Sequence, residues 1–202
     1  QYNISPETIL GTWQDDIGVD GLLNKEFDTS VWKEKNVTVT PNGSVYRKDK
    51  QGFLPKLMES MYNDRVTYKQ LMLEEQKKGR NADPNKLSQY YNYQQNLKIA
   101  LNSAYGAMGN QWFRYYDERN AEAVSVAGQL SVQWAENAVN NYLNTTLGTV
   151  NKDYIVAMDT DSLYVCLGDL VSKVGITDDE KIVDFLDKAC GRIEGVIEES
   201  YK

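Results

Sequence analysis

The 202-residue sequence contains no histidine. That excludes histidine-based catalytic triads, His–Cys zinc sites and the usual general base near neutral pH. Any chemistry must run on carboxylates, bound metal ions, lysine, arginine or tyrosine. Cysteine is nearly absent: Cys166 and Cys190 stand far apart and outside any metal-ligand spacing. They read as the reduced thiols of an intracellular protein, not as a disulfide framework. No apolar run approaches the length that crosses a bilayer, and the start shows no signal-peptide pattern, so no membrane partner is expected. Phenylalanine is scarce, with 4 residues against 14 tyrosines. Tyrosine is flat and amphipathic, able both to stack and to hydrogen-bond. The length suits one or two domains with a real core.

Positive charge is also short overall: 22 Lys and Arg face 29 Asp and Glu, a net of −7. Taken whole, this argues against a polyanionic partner, but the distribution reverses the argument. From Arg47 to Lys98, eleven basic and six acidic residues leave +5, so the remainder carries −12. A basic section in an acidic protein can meet polyanions locally while the whole stays soluble. A solvated charged helix would give the same numbers. The chain enters directly on Tyr2-Asn-Ile-Ser-Pro6 and ends on Glu198-Glu-Ser-Tyr-Lys202 in a helical pattern, so it is expected to be a piece of a longer protein.

Residues 1–36 read as irregular. Gly11, Gly18 and Gly21 break periodicity, and Ser5-Pro6-Glu7 can start a short helix. Val37–Thr40 alternates as a strand, Pro41-Asn42-Gly43 signals a turn, and Ser44–Lys48 reads as the return strand. Arg47, Lys48 and Lys50 at its end could touch phosphate. Gly52-Phe-Leu-Pro55 opens a long helix with Pro55 in its first turn. Leu57, Met58, Met61, Tyr62, Tyr68, Leu71 and Met72 recur along it at a helical period. Arg65 and Lys69, at i and i+4, project from one face and repel unless an anion lies between them. Two solvated surface cations are the bland alternative.

Lys77–Pro84 breaks that helix, and a second runs from about Asn85 to Met108, giving an antiparallel hairpin with a short polar tip. Lys98, Asn102 and Tyr105 fall at i, i+4 and i+7, one stripe offering a cation, an amide and an aromatic hydroxyl. Gly106 leaves room for something flat or bulky. A polar outer face without function remains open for this stripe. Gly109–Tyr116 is an aromatic linker. Asn120 is the expected N-cap of a third helix, Ala121 to about Leu143. Its Val124, Leu130, Val132, Trp134 and Val139, with Gly128 for close approach, suggest packing without chemistry. Asp178, Asp179 and Glu180 start a last amphipathic helix with Ile182, Phe185, Leu186, Ile193, Val196 and Ile197 on its buried side, expected to cover a sheet.

That sheet carries the sharpest motif. Two β-rich runs flank Asp159-Thr160-Asp161-Ser162, whose side chains favour a turn. In an extended backbone alternate residues share a face, so Asp159 and Asp161 can point the same way. Converging carboxylates call for a cation, and hard oxygen ligands suit Mg²⁺ or Mn²⁺. An EF-hand is excluded, because its later ligands and its glycine are missing. Alone, the motif reads first as an Asp-rich surface turn and needs company elsewhere in the chain to become a site.

In order along the chain, Arg65/Lys69, the Lys98–Gly106 stripe and Asp159-Thr160-Asp161 resemble the family B DNA polymerases, in particular the replicative enzymes of T-even-type phages. The K-x-x-x-N-S-x-Y-G pattern is complete from Lys98 to Gly106, and D-T-D-S from Asp159 to Ser162. Asn3–Ile9, Tyr46–Lys50 and Phe113–Asp117 resemble the phage group more narrowly. The resemblance covers essentially the whole chain. It implies an α+β fold: a polymerase palm, an antiparallel sheet with covering helices, from residues 1–51 and 111–202, and a helical-hairpin fingers from 52–110. It implies template-directed nucleotidyl transfer from dNTPs to a primer 3′-hydroxyl by a two-metal mechanism. Mg²⁺ is the implied cofactor, with Mn²⁺ as a substitute; primer–template DNA is the implied partner, in the cytoplasm of an infected bacterial host. Residues matching Arg65, Lys69 and Lys98 grip the triphosphate, and Asn102 supports that pocket. Tyr105 and Gly106 lie against the nascent base pair near the DNA minor groove. Asp161 is the main metal ligand, Asp159 assists, and Lys98 is the natural proton donor to pyrophosphate.

The sequence also departs from the family pattern. The family's palm takes another aspartate from a strand just before the segment matching Gln1–Ile9, and that strand is not in the sequence. An exonuclease domain, a thumb and the basic segment after the palm are not there either. Met158 stands where the family commonly has glycine, and the fingers tip is short. The chain alone is therefore expected to be weak or inactive and to need the remainder of the polymerase or a complementing chain. A sliding clamp would be contacted only through regions outside it. Two alternatives stay open: a non-catalytic nucleotide- or DNA-binding subunit of a split polymerase, and a structural fragment that binds nothing.

Overall fold

Of the three strand pairings described in this α+β chain, two close through short turns and one joins distant segments. The computed structural model describes residues 2–13 and 17–201. It divides into two units, residues 1–18 with 27–126 and residues 19–26 with 127–202.

In the first unit the Pro41–Gly43 turn forms as its residues demand. Gly43 takes φ +78°, a left-handed conformation that glycine adopts without strain. The turn joins β2 (Val37–Val39) to β3 (Ser44–Arg47), with Val39 opposite Val45. A third strand, β1 (Ile9–Thr12), pairs antiparallel with the other edge of β3. It lies in the stretch read as irregular, because its ladder partner comes from β3 and not from its own period. Ser5-Pro6-Glu7 makes a turn, not a helix: the Thr8 N–H donates to the Ser5 carbonyl at 3.1 Å. Glu7 instead accepts from the Ser5 hydroxyl at 2.6 Å and from the Phe53 N–H at 2.5 Å. Two short helices follow β1 in the chain: α1 (Gly18–Leu23), which after Gly18 belongs to the second unit, and α2 (Ser30–Glu34) in the first.

The long helices α3 (Phe53–Lys77) and α4 (Pro84–Met108) are joined by a 3₁₀ turn at Gly79–Asn81 and pack against each other as an antiparallel hairpin. Gly52 starts α3 where a Cβ would lie 2.6 Å from the Ser5 Cβ, so only glycine is accommodated. Asp83 caps α4 by accepting from the Asn85 N–H at 2.9 Å, with Pro84 at the first helical position. At the tip, buried Glu75 accepts from the Asp83 N–H at 2.8 Å and from the Lys78 ammonium at 2.6 Å.

Between the helices runs a seam of buried and half-buried residues. On α3 it includes Leu54, Met58, Met61, Arg65, Tyr68, Met72 and Glu75, and on α4 Leu87, Tyr90, Gln94, Leu97, Leu101, Ala104 and Met108; Pro55, Val66, Leu71, Gln95, Ala100 and Ala107 are half-buried beside this stripe. Spacings along the stripe alternate between three and four, the pattern of two helices packed along their lengths. Tyr68 stacks on Tyr93 at 4.9 Å between ring centroids. Leu57 and Tyr62, placed in the apolar stripe by their period, are exposed; Arg65 takes a seam position instead.

Helix α5 (Glu118–Leu147) starts earlier than expected. Asp117, not Asn120, stands at its start, accepting from the Arg119 N–H at 3.0 Å. Asn120 is buried inside the helix and accepts from the Tyr46 hydroxyl at 2.8 Å.

The second unit holds a hairpin of β4 (Ile155–Asp159) and β5 (Ser162–Val165), with Met158 opposite Leu163 and Asp159 opposite Ser162. α6 (Gly168–Val174) follows and ends at Gly175, φ +70°. α7 (Asp179–Ser200) is capped by Asp178, which accepts from the Lys181 N–H at 3.1 Å. Val139, Leu143, Tyr154 and Ile193 form the core, with Leu163, Val165 and Ile197 packed against it. α7 thus covers the hairpin, as its apolar face predicts; each fully buried aliphatic side chain there contributes about 1.5–3 kcal/mol. The Trp134 indole N–H donates to the Ser200 carbonyl at 3.0 Å, tying α5 to the end of α7. Gly128 meets nothing within 4 Å of an added Cβ, so it is not a close-approach position. Cys166 and Cys190 are free thiols. Among the described residues no helix is long and apolar enough to cross a membrane.

Candidate functional site

The first-unit residues singled out by the sequence lie on the α3/α4 hairpin. Arg65 runs through the seam, and its Nε is shielded from solvent with no hydrogen-bond partner. Lys69, one turn on, is exposed, as are Lys98 and Asn102 on α4. Among the described residues these four side chains make no hydrogen bond and no ion pair. The ion pairs lie elsewhere, at Arg47–Asp49, Lys78–Glu75, Arg119–Asp117 and Lys152–Asp169. Arg47, expected to be available to phosphate, is thus already engaged by Asp49.

Tyr105 follows Asn102 on the same helix. Its hydroxyl shares a 2.6 Å hydrogen bond with the Ser125 Oγ of α5. Its ring walls a cavity of about 350 Å³ together with Ile4, Leu54, Met58, Leu101 and Met108. Ser125 escaped the sequence reading, because a lone serine on a packing helix carries no periodic signal. Gly106 is open: an added Cβ would meet nothing within 4 Å, so no packing within the chain demands glycine there.

In the second unit, Asp159 ends β4 and Asp161 is the second residue of the two-residue turn Thr160–Asp161. Thr160 has φ +35°, in the left-handed region that a β-branched residue rarely occupies. The two carboxylates are therefore not alternate residues of one strand, as the extended-backbone argument assumed; the chain reverses between them. The Thr160 hydroxyl donates to the Asp159 Oδ1 at 2.9 Å, and the Ser162 hydroxyl donates to the Asp159 carbonyl at 3.1 Å. Asp161 borders a cavity of about 600 Å³ walled by Val139, Leu163, Val165, Ile193 and Ile197. Glu194 and Cys190 also line it.

Both aspartates are exposed, and among the described residues neither is in an ion pair. Such hard oxygen donors fit Mg²⁺, which is commonly held by one or two carboxylates together with substrate phosphates and water. Among the described residues no group of three or more His, Cys, Asp or Glu gathers around a possible metal position. Met158 keeps an ordinary strand conformation and pairs opposite Leu163, so the backbone there does not call for glycine.

The first unit carries a cationic, amide and tyrosine stripe on α4, and the second carries a two-carboxylate hairpin. The model of the family described as DNA polymerase family B matches residues 1–193, and the chain belongs to that family. The DNA-directed DNA polymerase of Escherichia phage RB69 is 33% identical over an alignment covering 100% of the chain and 27% of that protein. The DNA-directed DNA polymerase of Enterobacteria phage T4 is 31% identical, with 100% of the chain and 28% of that protein covered. The chain thus spans little more than a quarter of the length of these curated relatives.

Proposed function

We propose that the chain supplies the palm, residues 1–51 and 111–202, and the helical-hairpin fingers, residues 52–110, of a DNA-directed DNA polymerase of phage type. The observation that carries this reading is the set Arg65, Lys69, Lys98 and Asn102, whose side chains have no hydrogen-bond or ion-pair partner among the described residues and which share one helical hairpin. Groups left unpaired on a basic element are available to a polyanion. The three cations neutralise the triphosphate of the incoming dNTP, and Asn102 supports that pocket. Tyr105, held by Ser125, and Gly106, with its open surface, border the nascent base pair at the minor groove.

Asp161, assisted by Asp159, would hold Mg²⁺ or Mn²⁺. A bound divalent ion supplies Lewis-acid stabilisation of the phosphoryl oxygens. The primer 3′-hydroxyl gives its proton to solvent as its oxygen bonds to the α-phosphorus and the bond to pyrophosphate breaks, and the Lys98 ammonium gives its proton to the leaving pyrophosphate. A two-metal mechanism needs a further carboxylate, and among the described residues none joins these two. The 202-residue chain by itself is then weak or inactive. Its partners are primer–template DNA and the remainder of the polymerase or a complementing chain, with any sliding clamp met through other regions, in the cytoplasm of an infected bacterial host. The same two-carboxylate set also suits a second reading, a non-catalytic nucleotide- or DNA-binding subunit of a split polymerase.

Calorimetric titration of dNTP with Mg²⁺ into the chain, wild type against Asp161→Asn and Lys98→Ala, tests the pocket. Metal-dependent binding lost in either variant supports it; binding indifferent to both substitutions overturns it. Primer extension by the polymerase that includes these residues separates the two readings. It is abolished by Asp161→Asn under the first and unchanged under the second.

A further inference from the structure

Helix α3 does not cap itself. Gly52 stands at its N-cap and has no side chain to accept a hydrogen bond. The first N–H groups of a helix have no partner inside it, so they must be met from elsewhere. Here the turn between Asn3 and Thr8 meets them. The Glu7 carboxylate accepts from the Phe53 N–H at 2.5 Å, across 46 residues of sequence, and the Ser5 hydroxyl accepts from the Leu54 N–H at 3.4 Å, across 49. A carboxylate at this end of α3 also faces the positive end of the helix dipole. Asn3 holds the residues that lead into the helix. Its Nδ2 donates to the Arg47 carbonyl at 2.7 Å and to the Lys50 carbonyl at 2.9 Å, and its Oδ1 accepts from the Gly52 N–H at 2.7 Å. The turn is itself fixed. Ser5 and Thr8 are buried, the Thr8 hydroxyl donates to the Asn3 carbonyl at 2.5 Å, and the Thr8 carbonyl accepts from the Arg47 N–H at 3.0 Å.

A contact at the base of a long helix acts on a lever. At about 1.5 Å per residue, Arg65 stands about 18 Å from Phe53 and Lys69 about 24 Å. A change of about 5° in the direction of the first turn moves these two cations by about 1.6 and 2.1 Å. A misplacement of about 1 Å in a positioned group can cost about a hundredfold in rate. We infer that Asn3 and Glu7 are positioning residues of the nucleotide grip: they clasp the base of the α3/α4 hairpin and set where Arg65 and Lys69 stand. The inference rests on the assignment of those two cations to the triphosphate of dNTP. Neither Asn3 nor Glu7 acts on the nucleotide directly; both act through α3. Glu7 is exposed, so shortening it opens no cavity in a core.

The test is primer extension by the polymerase that includes these residues, with kcat, KM for dNTP and Kd for primer–template measured separately. Lys69→Ala raises KM for dNTP and so marks the grip. Glu7→Ala raises it by about tenfold or more, while Kd for primer–template stays within about twofold. Glu7→Gln keeps an oxygen that accepts from the Phe53 N–H, and its KM returns to within about threefold of the wild type. Asn3 has φ +60°, so Asn3→Gly removes the amide without straining the backbone, and it behaves like Glu7→Ala. Gln51→Ala removes a hydrogen bond from the same loop to Glu59 of α3 and leaves KM within about twofold. Because Glu7 acts through the cations, Glu7→Ala combined with Lys69→Ala costs less than the product of the two single effects. A merely structural role lowers kcat through loss of folded enzyme, leaves KM unmoved and gives the full product. A KM raised by Lys69→Ala but by neither Glu7→Ala nor Asn3→Gly overturns the inference alone. A KM that Lys69→Ala does not move overturns the assignment of the grip, and the inference with it.

Discussion

Replacing Arg65 by methionine should make the protein more stable and worse at holding a nucleotide. The Arg65 Nε is shielded from solvent without a partner, on a side chain that crosses the seam between α3 and α4. A buried donor left unmade costs about 1–3 kcal/mol. Methionine removes that donor yet keeps a flexible chain of similar reach, so the packing made by the arginine stem is largely retained. Arg65→Met should therefore gain about 1–3 kcal/mol. For a protein of this length each kcal/mol moves the midpoint by about 2–4 °C. Arg65→Ala removes the same donor but also about three methylenes of buried stem, worth about 0.8 kcal/mol each. The gain and the loss then nearly cancel, leaving alanine close to wild type. Thermal unfolding followed by far-UV circular dichroism separates the three proteins, and dNTP titration measures the loss of grip. A methionine variant that melts at or below the wild type would refute the reasoning, because the guanidinium would then be contributing net stability to the seam.

Further outcomes follow from single contacts. Lys98→Ala should weaken use of dNTP by about 10–100-fold, the worth of a charge-assisted contact, while primer–template affinity changes far less; equal losses in KM for dNTP and in Kd for DNA would remove Lys98 from the nucleotide pocket. Hydrogen bonds from the Asp83 N–H, and then from the Lys78 ammonium, hold the Glu75 carboxyl below its ordinary 4.5. A group depressed on folding contributes stability that is present above its unfolded pKa and lost as pH falls through the folded value. Acidification below about pH 4.5 should therefore loosen the hairpin tip, read as faster amide exchange at Asp83, and Glu75→Gln should flatten that dependence. Tyr46→Phe should cost about 1–3 kcal/mol in urea unfolding, because it strands the buried Asn120 side chain whose Nδ2 already lacks a partner. Burial pushes the Tyr46 hydroxyl up to about 12, so its hydrogen bond persists into alkaline solution, and the deficit of the Phe variant should be the same at pH 6 and pH 9.

Much of this architecture is written in short-range signals. The Pro41-Asn42-Gly43 turn, the paired long helices and the Asp159–Ser162 hairpin all follow from residues within a few positions of each other. What stayed hidden depends on partners far along the chain. β1 is a strand because β3 pairs with it. Asn120 has the composition of a cap but serves a tyrosine hydroxyl 74 residues away. Ser125 acquires a role only because folding brings Tyr105 to it. The carboxylate pair was recognisable, but its orientation was not. Alternation holds inside a strand, and Asp161 lies beyond the end of one, across a turn whose Thr160 carries a positive φ.

The seam connects these observations. A period read on α3 alone gathers Leu57, Met58, Met61, Tyr62, Tyr68, Leu71 and Met72 into one broad stripe, and Leu57 and Tyr62 are counted as core. Packing against a partner helix selects a seam at spacings of three and four. That seam admits Arg65, Gln94 and Glu75, and it expels Tyr62 and Tyr91 to the surface. Each of these residues breaks a local rule: polar groups sit where apolar ones would be more stable, and large rings sit in solvent. Glu75 is satisfied by Asp83 and Lys78, so its burial is structural. Arg65 is not satisfied, and the two tyrosines touch no other ring. Departures from consistency that the fold does not compensate are where function is to be sought. Inside the seam of this hairpin that departure is Arg65, one turn before Lys69.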